Sequence, residues 1–207
     1  LLPAFLLGAC TFGAAGPAVN PDPNHTHADF AVYVEGRKLD FSDAKYMSTP
    51  PASDAPLAGF LVPTAHAHEE EDEGEHVAGR EYLHLHDGNG SVIHRHKPGL
   101  TVAEFFFSIG FHMAEGCLTL DDGAEVCDAG EKAWRMFVNG EEAPWNPAYV
   151  FADLDRILFT YAPTEEQLRA QLAALTDDAC LYSKTCPERG DPPYEGCIAD
   201  PLIPCTQ

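Results

Sequence analysis

An α+β fold built on a mixed sheet is what this sequence predicts, and three observations carry the prediction. Short stretches of apolar and polar alternation recur, separated by Gly-containing turns. One segment carries a complete helix start signal, and a second helical stripe follows the last strand. The 207 residues are 45% hydrophobic, which suits a packed domain of ordinary size. Twelve Lys and Arg against thirty-three Asp and Glu give a formal net charge of −21. A field of that sign repels phosphate backbones and anionic headgroups, so nucleic-acid binding is excluded.

The chain begins with the apolar run LLPAFLLGAC, too short to span a bilayer as a helix. It reads as the remnant of a signal peptide (residues 1–10). Leu7-Gly8-Ala9-Cys10 resembles the lipobox of bacterial lipoproteins. The resemblance implies a lipid on Cys10 and anchoring to a bacterial membrane from the extracytoplasmic side. Residues 11–24, rich in Gly, Ala and Pro, read as a tether.

An N-terminal hairpin is expected within 25–47, where FAVYVEGRKLDF alternates about Glu35-Gly36; WRMFVNGEEA repeats the design about Asn139-Gly140. Between them, residues 48–80 are Pro-rich and run into a string of acidic residues flanked by His66, His68 and His76. A disordered loop is expected there. Such His-rich acidic loops resemble those of extracytoplasmic zinc-uptake proteins, which would make these three histidines auxiliary metal ligands.

From Glu81 the signals sharpen. EYLHLHDGNGSVIHRHK reads as two strands about a Gly-rich turn. In the following TVAEFFFSIG, Thr101 and Glu104 form a capping box, with Leu100 and Phe105 placed as its hydrophobic staple, so a helix is expected over 101–110. Phe105, Phe106 and Phe107 are expected in the core. CLTLDDGAEVC reads as a hairpin whose loop Asp121-Asp122-Gly123 sets Cys117 opposite Cys127, within disulfide range. The last strand is LDRILFTY at 154–161.

Hairpin, capped helix, further strands and a last strand entered through Asp155-Arg156-Ile157 is an order that resembles the β-grasp, or ubiquitin-like, domain over 81–161. That resemblance implies a fold and no activity. No Gly-Gly follows Tyr161, which argues against a protein modifier or sulfur carrier. The whole chain also resembles uncharacterised bacterial lipoproteins with the same His-x-His spacing, a likeness that implies export and no particular reaction.

Thr164 and Gln167 form another capping box, and Leu168, Leu172 and Leu175 make one stripe, so a helix is expected within 162–179. The tail, 180–207, holds Cys180, Cys186, Cys197 and Cys205 among five prolines. No Cys-x-x-Cys is present, which disfavours thioredoxin-type chemistry. Two disulfides in any of three connectivities are expected, and a zinc knuckle is the alternative. With Cys10 lipidated and Cys117 joined to Cys127, all seven cysteines have a use, in keeping with an oxidising compartment.

The residues that point to chemistry are three histidine pairs: His25 and His27, His84 and His86, His94 and His96. The i, i+2 spacing puts both rings of a pair on one face of a strand. A loop Gly88-Asn89-Gly90 would set His84 opposite His94, gathering Leu83, Leu85 and Ile93 on one face and four histidines on the other. Imidazoles assembled this way suit zinc or copper, and the geometry resembles the metal strands of cupins and carbonic anhydrases. The competing reading is that the histidines are only the wet half of alternating strands. Asp87 reads as a turn residue and Glu104 as a cap, and no nucleophile lies in a recognisable elbow. A transition-metal binder is therefore the leading expectation, followed by a cell-surface interaction module without metal and then by a metal-dependent enzyme.

Overall fold

The computed structural model describes residues 18–48 and 79–191. Cys10, His66, His68, His76, Cys197 and Cys205 lie outside the described residues, and so do the lipobox and nearly all of the acidic loop.

The main sheet has seven strands: β1 (Thr26–Val34), β2 (Arg37–Lys38), β3 (Leu83–His84), β4 (Val92–Arg95), β8 (Trp134–Val138), β9 (Glu141–Ala143) and β10 (Arg156–Tyr161). Their order is β3-β4-β1-β10-β8-β9, with β2 paired to β1. β1 runs parallel to β10 and antiparallel to β4, so the sheet is mixed. A second sheet joins β5 (His112–Ala114), β6 (Cys117–Thr119) and β7 (Glu125–Cys127). The helices are α1 (Val102–Ser108), α2 (Glu165–Ala173) and α3 (Ala179–Tyr182). The fold class is the α+β arrangement expected.

β1, the first strand of the expected N-terminal hairpin, is central to this sheet. As a strand covered on both sides it is apolar on both faces. Ala28, Phe30 and Val32 enter the main core with Ile93, Phe105, Phe106, Met136, Ile157 and Phe159. Ala31 and Tyr33 point the other way, against Phe137, Leu158, Leu168 and Leu175. Residues 81–161 thus need residues 26–34 to complete their sheet.

The local signals act as their chemistry dictates. In α1 the Thr101 side chain accepts from the Glu104 N–H while Glu104 accepts from the Thr101 N–H, and Thr164 and Gln167 do the same for α2. The turns at Glu35-Gly36 and Asn139-Gly140 carry positive φ at both positions, the geometry of a type I′ hairpin. In the cysteine hairpin, Cys117 faces Cys127 and Leu118 faces Val126, Gly123 has φ 84°, and the disulfide is formed.

Two expectations are corrected. Phe107 is not core: it is 73% exposed, because three consecutive helical residues fan over about 200° and only Phe105 and Phe106 reach the sheet. The tight turn of the histidine hairpin is not Gly88-Asn89-Gly90 but Asp87-Gly88, both at positive φ and closed by Asn89 N–H donating to the His86 carbonyl at 3.0 Å. Gly90 has a different task, since a Cβ there would lie 2.3 Å from the Phe41 backbone. The start of the tail packs on the sheet. Its first residues fold as α3, and Ala179 and Tyr182 pack on Val92.

Candidate metal centre

The site lies on the sheet face opposite α1, at the β3-β4-β1 edge. Register creates it. His84 pairs with His94, as the sequence predicts, and His94 pairs on its other side with His27, so three imidazoles form one row across three strands. Because side chains alternate, His86, His96 and His25 share that face. Successive ring centroids run His25 to His27 4.4 Å, His27 to His94 4.8 Å, and His94 to His86 3.8 Å. The circuit continues His86 to His84 5.8 Å, His84 to His96 4.9 Å, and His96 back to His25 3.8 Å.

This face is not wet. His27, His84, His86, His94 and His96 are all buried, His94 completely, and His25 is half-buried. Each buried imidazole costs about 1–3 kcal/mol unless its polar atoms find partners. Six together on a face that apolar residues could fill is poor economy for stability alone. The solvent-facing alternative does not describe this site.

The donor atoms meet in short pairs. His25 Nε2 lies 3.1 Å from His27 Nε2, and His86 Nε2 lies 3.1 Å from His94 Nδ1. His25, His27 and His94 each offer one nitrogen, all within 4.8 Å of one another, and this is the group among the described residues that could hold a metal ion. Two zinc-bound nitrogens at about 2.0–2.1 Å from a tetrahedral ion sit about 3.3 Å apart. The observed pairs are close to that spacing.

The opposite ring nitrogens are tied outward. His27 Nδ1 lies 2.7 Å from Ser183 Oγ, which donates to Asp153 Oδ1 at 2.6 Å. The serine proton goes to the aspartate, so His27 Nδ1 donates and its Nε2 faces the cluster. His84 Nδ1 donates to the Arg80 carbonyl at 2.6 Å and His86 Nδ1 donates to Asp87 Oδ2 at 2.8 Å. Outer acceptors of this kind set the tautomer and aim of metal-binding histidines. Asp87 is thus a turn residue, as expected, and a histidine partner as well.

Tyr182 covers the cluster. Its ring stands edge-on to His94 at 4.6 Å and lies 5.6 Å from His27 and 5.7 Å from His86, with its hydroxyl receiving the Asn89 side-chain N–H at 3.1 Å. Asp29 positions this cover. Its buried carboxylate accepts from the Thr176 hydroxyl and from the N–H groups of Asp178 and Ala179, at the start of α3. Burial raises its pKa above the ordinary carboxylate value, and those hydrogen bonds oppose the rise.

Sequence reasoning identified the six histidines but missed Asp29, Asp153, Tyr182 and Ser183. The apolar string Ala179-Cys180-Leu181-Tyr182 was the available hint that the tail docks. Cys180 is joined to Cys186, which excludes the two tail connectivities that pair Cys180 with Cys197 or Cys205. The two disulfides fit an extracytoplasmic location. Among the described residues no helix is long and apolar enough to cross a membrane. No family model matches the chain, and no curated protein or solved structure matches it.

Proposed function

We propose that the protein binds a transition metal ion, zinc or copper, through its paired histidines. The observation that carries this reading is the triad His25, His27 and His94, whose ring nitrogens gather within 4.8 Å while Ser183 fixes His27 from behind. The donors are all imidazole, which suits zinc and copper and disfavours calcium or magnesium, whose ligands are oxygens. His84, His86 and His96 extend the same patch and supply further nitrogens. The net charge of −21 draws cations toward the surface.

Export and anchoring belong to the same proposal. Cys10 carries the lipid, the membrane is the partner it reaches, and His66, His68 and His76 act as an auxiliary capture loop. Disulfide use supports the compartment, and the lipobox pattern supports the anchor. A β-grasp affiliation is proposed with it, supported by a parallel β1–β10 pair with antiparallel neighbours on both sides. That affiliation assigns no activity.

The test is the metal content of tag-free protein exported in a heterologous host and purified without chelators. About one equivalent of zinc or copper is expected by mass spectrometry. Protein that is isolated metal-free and takes up neither ion on reconstitution overturns the reading.

A further inference from the structure

The segment that covers the histidines is held in place by a bond that can be undone. α3 is four residues long, and its N-cap Asp178 makes no side-chain capping bond, so the helix has little stability of its own. What keeps it on the sheet is Asp29 below its first turn, the contact of Ala179 and Tyr182 with Val92, and the Cys180–Cys186 bridge. The bridge closes a loop of six-residue separation, and inside that loop lie Tyr182, against three imidazoles, and Ser183, fully buried against His27. The cover and the outer partner of a triad ligand are thus both enclosed by one disulfide. Cys186 is nearly buried, whereas Cys180 is half-exposed with the Arg189 guanidinium 3.4 Å from its sulfur.

We infer that the Cys180–Cys186 disulfide is a redox latch on the metal centre: oxidised, it holds Ser183 and Tyr182 over the histidines, and reduced, it releases them and the ion is held less tightly. The inference rests on the metal-binding reading and adds its regulation. The co-reactant is a low-molecular-weight or protein thiol. One thiolate attacks Cys180 Sγ, forming a mixed disulfide and expelling Cys186 as thiolate. A second thiolate attacks the reductant sulfur of that mixed disulfide and expels Cys180 as thiolate. Two thiols of the reductant leave as one disulfide, and their two protons end on the two cysteines. Arg189 beside Cys180 stabilises the thiolate that departs there.

Loss of an outer partner of a metal-binding histidine costs 10–100-fold in affinity as an order of magnitude. Coupling between two equilibria is reciprocal, so a bound ion must disfavour reduction of the bridge by the same factor by which reduction weakens binding. The Cys117–Cys127 bridge, in the small sheet, has no such coupling.

The test compares zinc affinity of wild type with that of Cys180→Ala/Cys186→Ala, in which the latch is open and no new thiol ligand is created. The double variant is expected to bind zinc tenfold or more weakly, while Cys117→Ala/Cys127→Ala stays within twofold of wild type. Equal affinity in wild type and the 180/186 variant overturns the latch and leaves metal binding standing. Wild type that binds neither zinc nor copper overturns both readings. If the 180/186 variant does not fold, as circular dichroism reports, wild type is equilibrated in glutathione buffers with and without zinc and its thiols are mapped by alkylation. Zinc is expected to shift the reduction midpoint of Cys180–Cys186 alone toward more reducing buffers, and an unshifted midpoint overturns the latch.

Discussion

Ser183 and His27, 156 residues apart in the chain, meet at 2.7 Å, with the serine hydroxyl donating its own hydrogen bond to Asp153. This relay gives His27 a defined tautomer and a defined aim. Ser183→Ala removes the acceptor from His27 Nδ1 and is expected to weaken zinc or copper binding 10–100-fold with the fold intact. Asp153→Asn is expected to act in the same direction, since Asp153 also receives the His27 backbone N–H at 2.9 Å. Calorimetric titration reads both, and unchanged affinity in Ser183→Ala contradicts the relay.

Asp29 gives a pH dependence whose direction is determined. Its carboxyl holds its proton more tightly in the folded chain than in the unfolded one, because burial outweighs the hydrogen bonds it accepts. Such a group contributes most at low pH, and its contribution falls as pH rises from the ordinary carboxylate value, 3.8, through the raised one. The stability advantage of wild type over Asp29→Asn should therefore shrink as pH rises through the range above the ordinary carboxylate value. Urea denaturation across that range measures it, and an advantage that grows with pH contradicts the assignment.

The three phenylalanines of α1 should separate sharply. Phe105→Ala and Phe106→Ala each empty a fully buried position and are expected to cost about 3–5 kcal/mol. Phe107→Ala, at 73% exposure, is expected to stay within about 0.5 kcal/mol. Chemical denaturation distinguishes them.

The Cys117–Cys127 bridge joins directly opposed strand residues of a hairpin that anchors through Trp134 Nε1 donating to the Val126 carbonyl at 2.8 Å. Replacing both cysteines by Ala is expected to lower stability by about 2–4 kcal/mol. Non-reducing peptide mapping of native protein should recover neither residue as a free thiol.

Much of this was legible locally. The capping boxes of Thr101 and Thr164, the Asn139-Gly140 turn and the Cys117 to Cys127 register each depend on residues close in sequence. The His84 to His94 register was legible for a different reason: one-residue slippage would carry His94 and His96 into the core with Leu83 and Leu85. Even the exposure of Phe107 was implicit in the helical period. What could not be read was long-range. Nothing near His27 says that it will lie beside His94, and nothing in a Pro- and Cys-rich tail says that Tyr182 and Ser183 return to the sheet. Those placements follow from the antiparallel pairing of β1 with β4 and from the docking of α3 on Val92, which sequence pattern alone does not specify.

Metal titration of tag-free protein at neutral pH, repeated with His94→Ala and His84→Ala, tests the central claim most directly. His94 belongs to the triad and sits at the centre of the row, so its loss is expected to abolish tight binding, whereas His84→Ala is expected to reduce affinity without abolishing it. Because imidazole ligates only when neutral, acidification should release the ion from wild type. Unchanged affinity in His94→Ala, or binding that vanishes only when residues 66–76 are deleted, would contradict a metal centre on this sheet face.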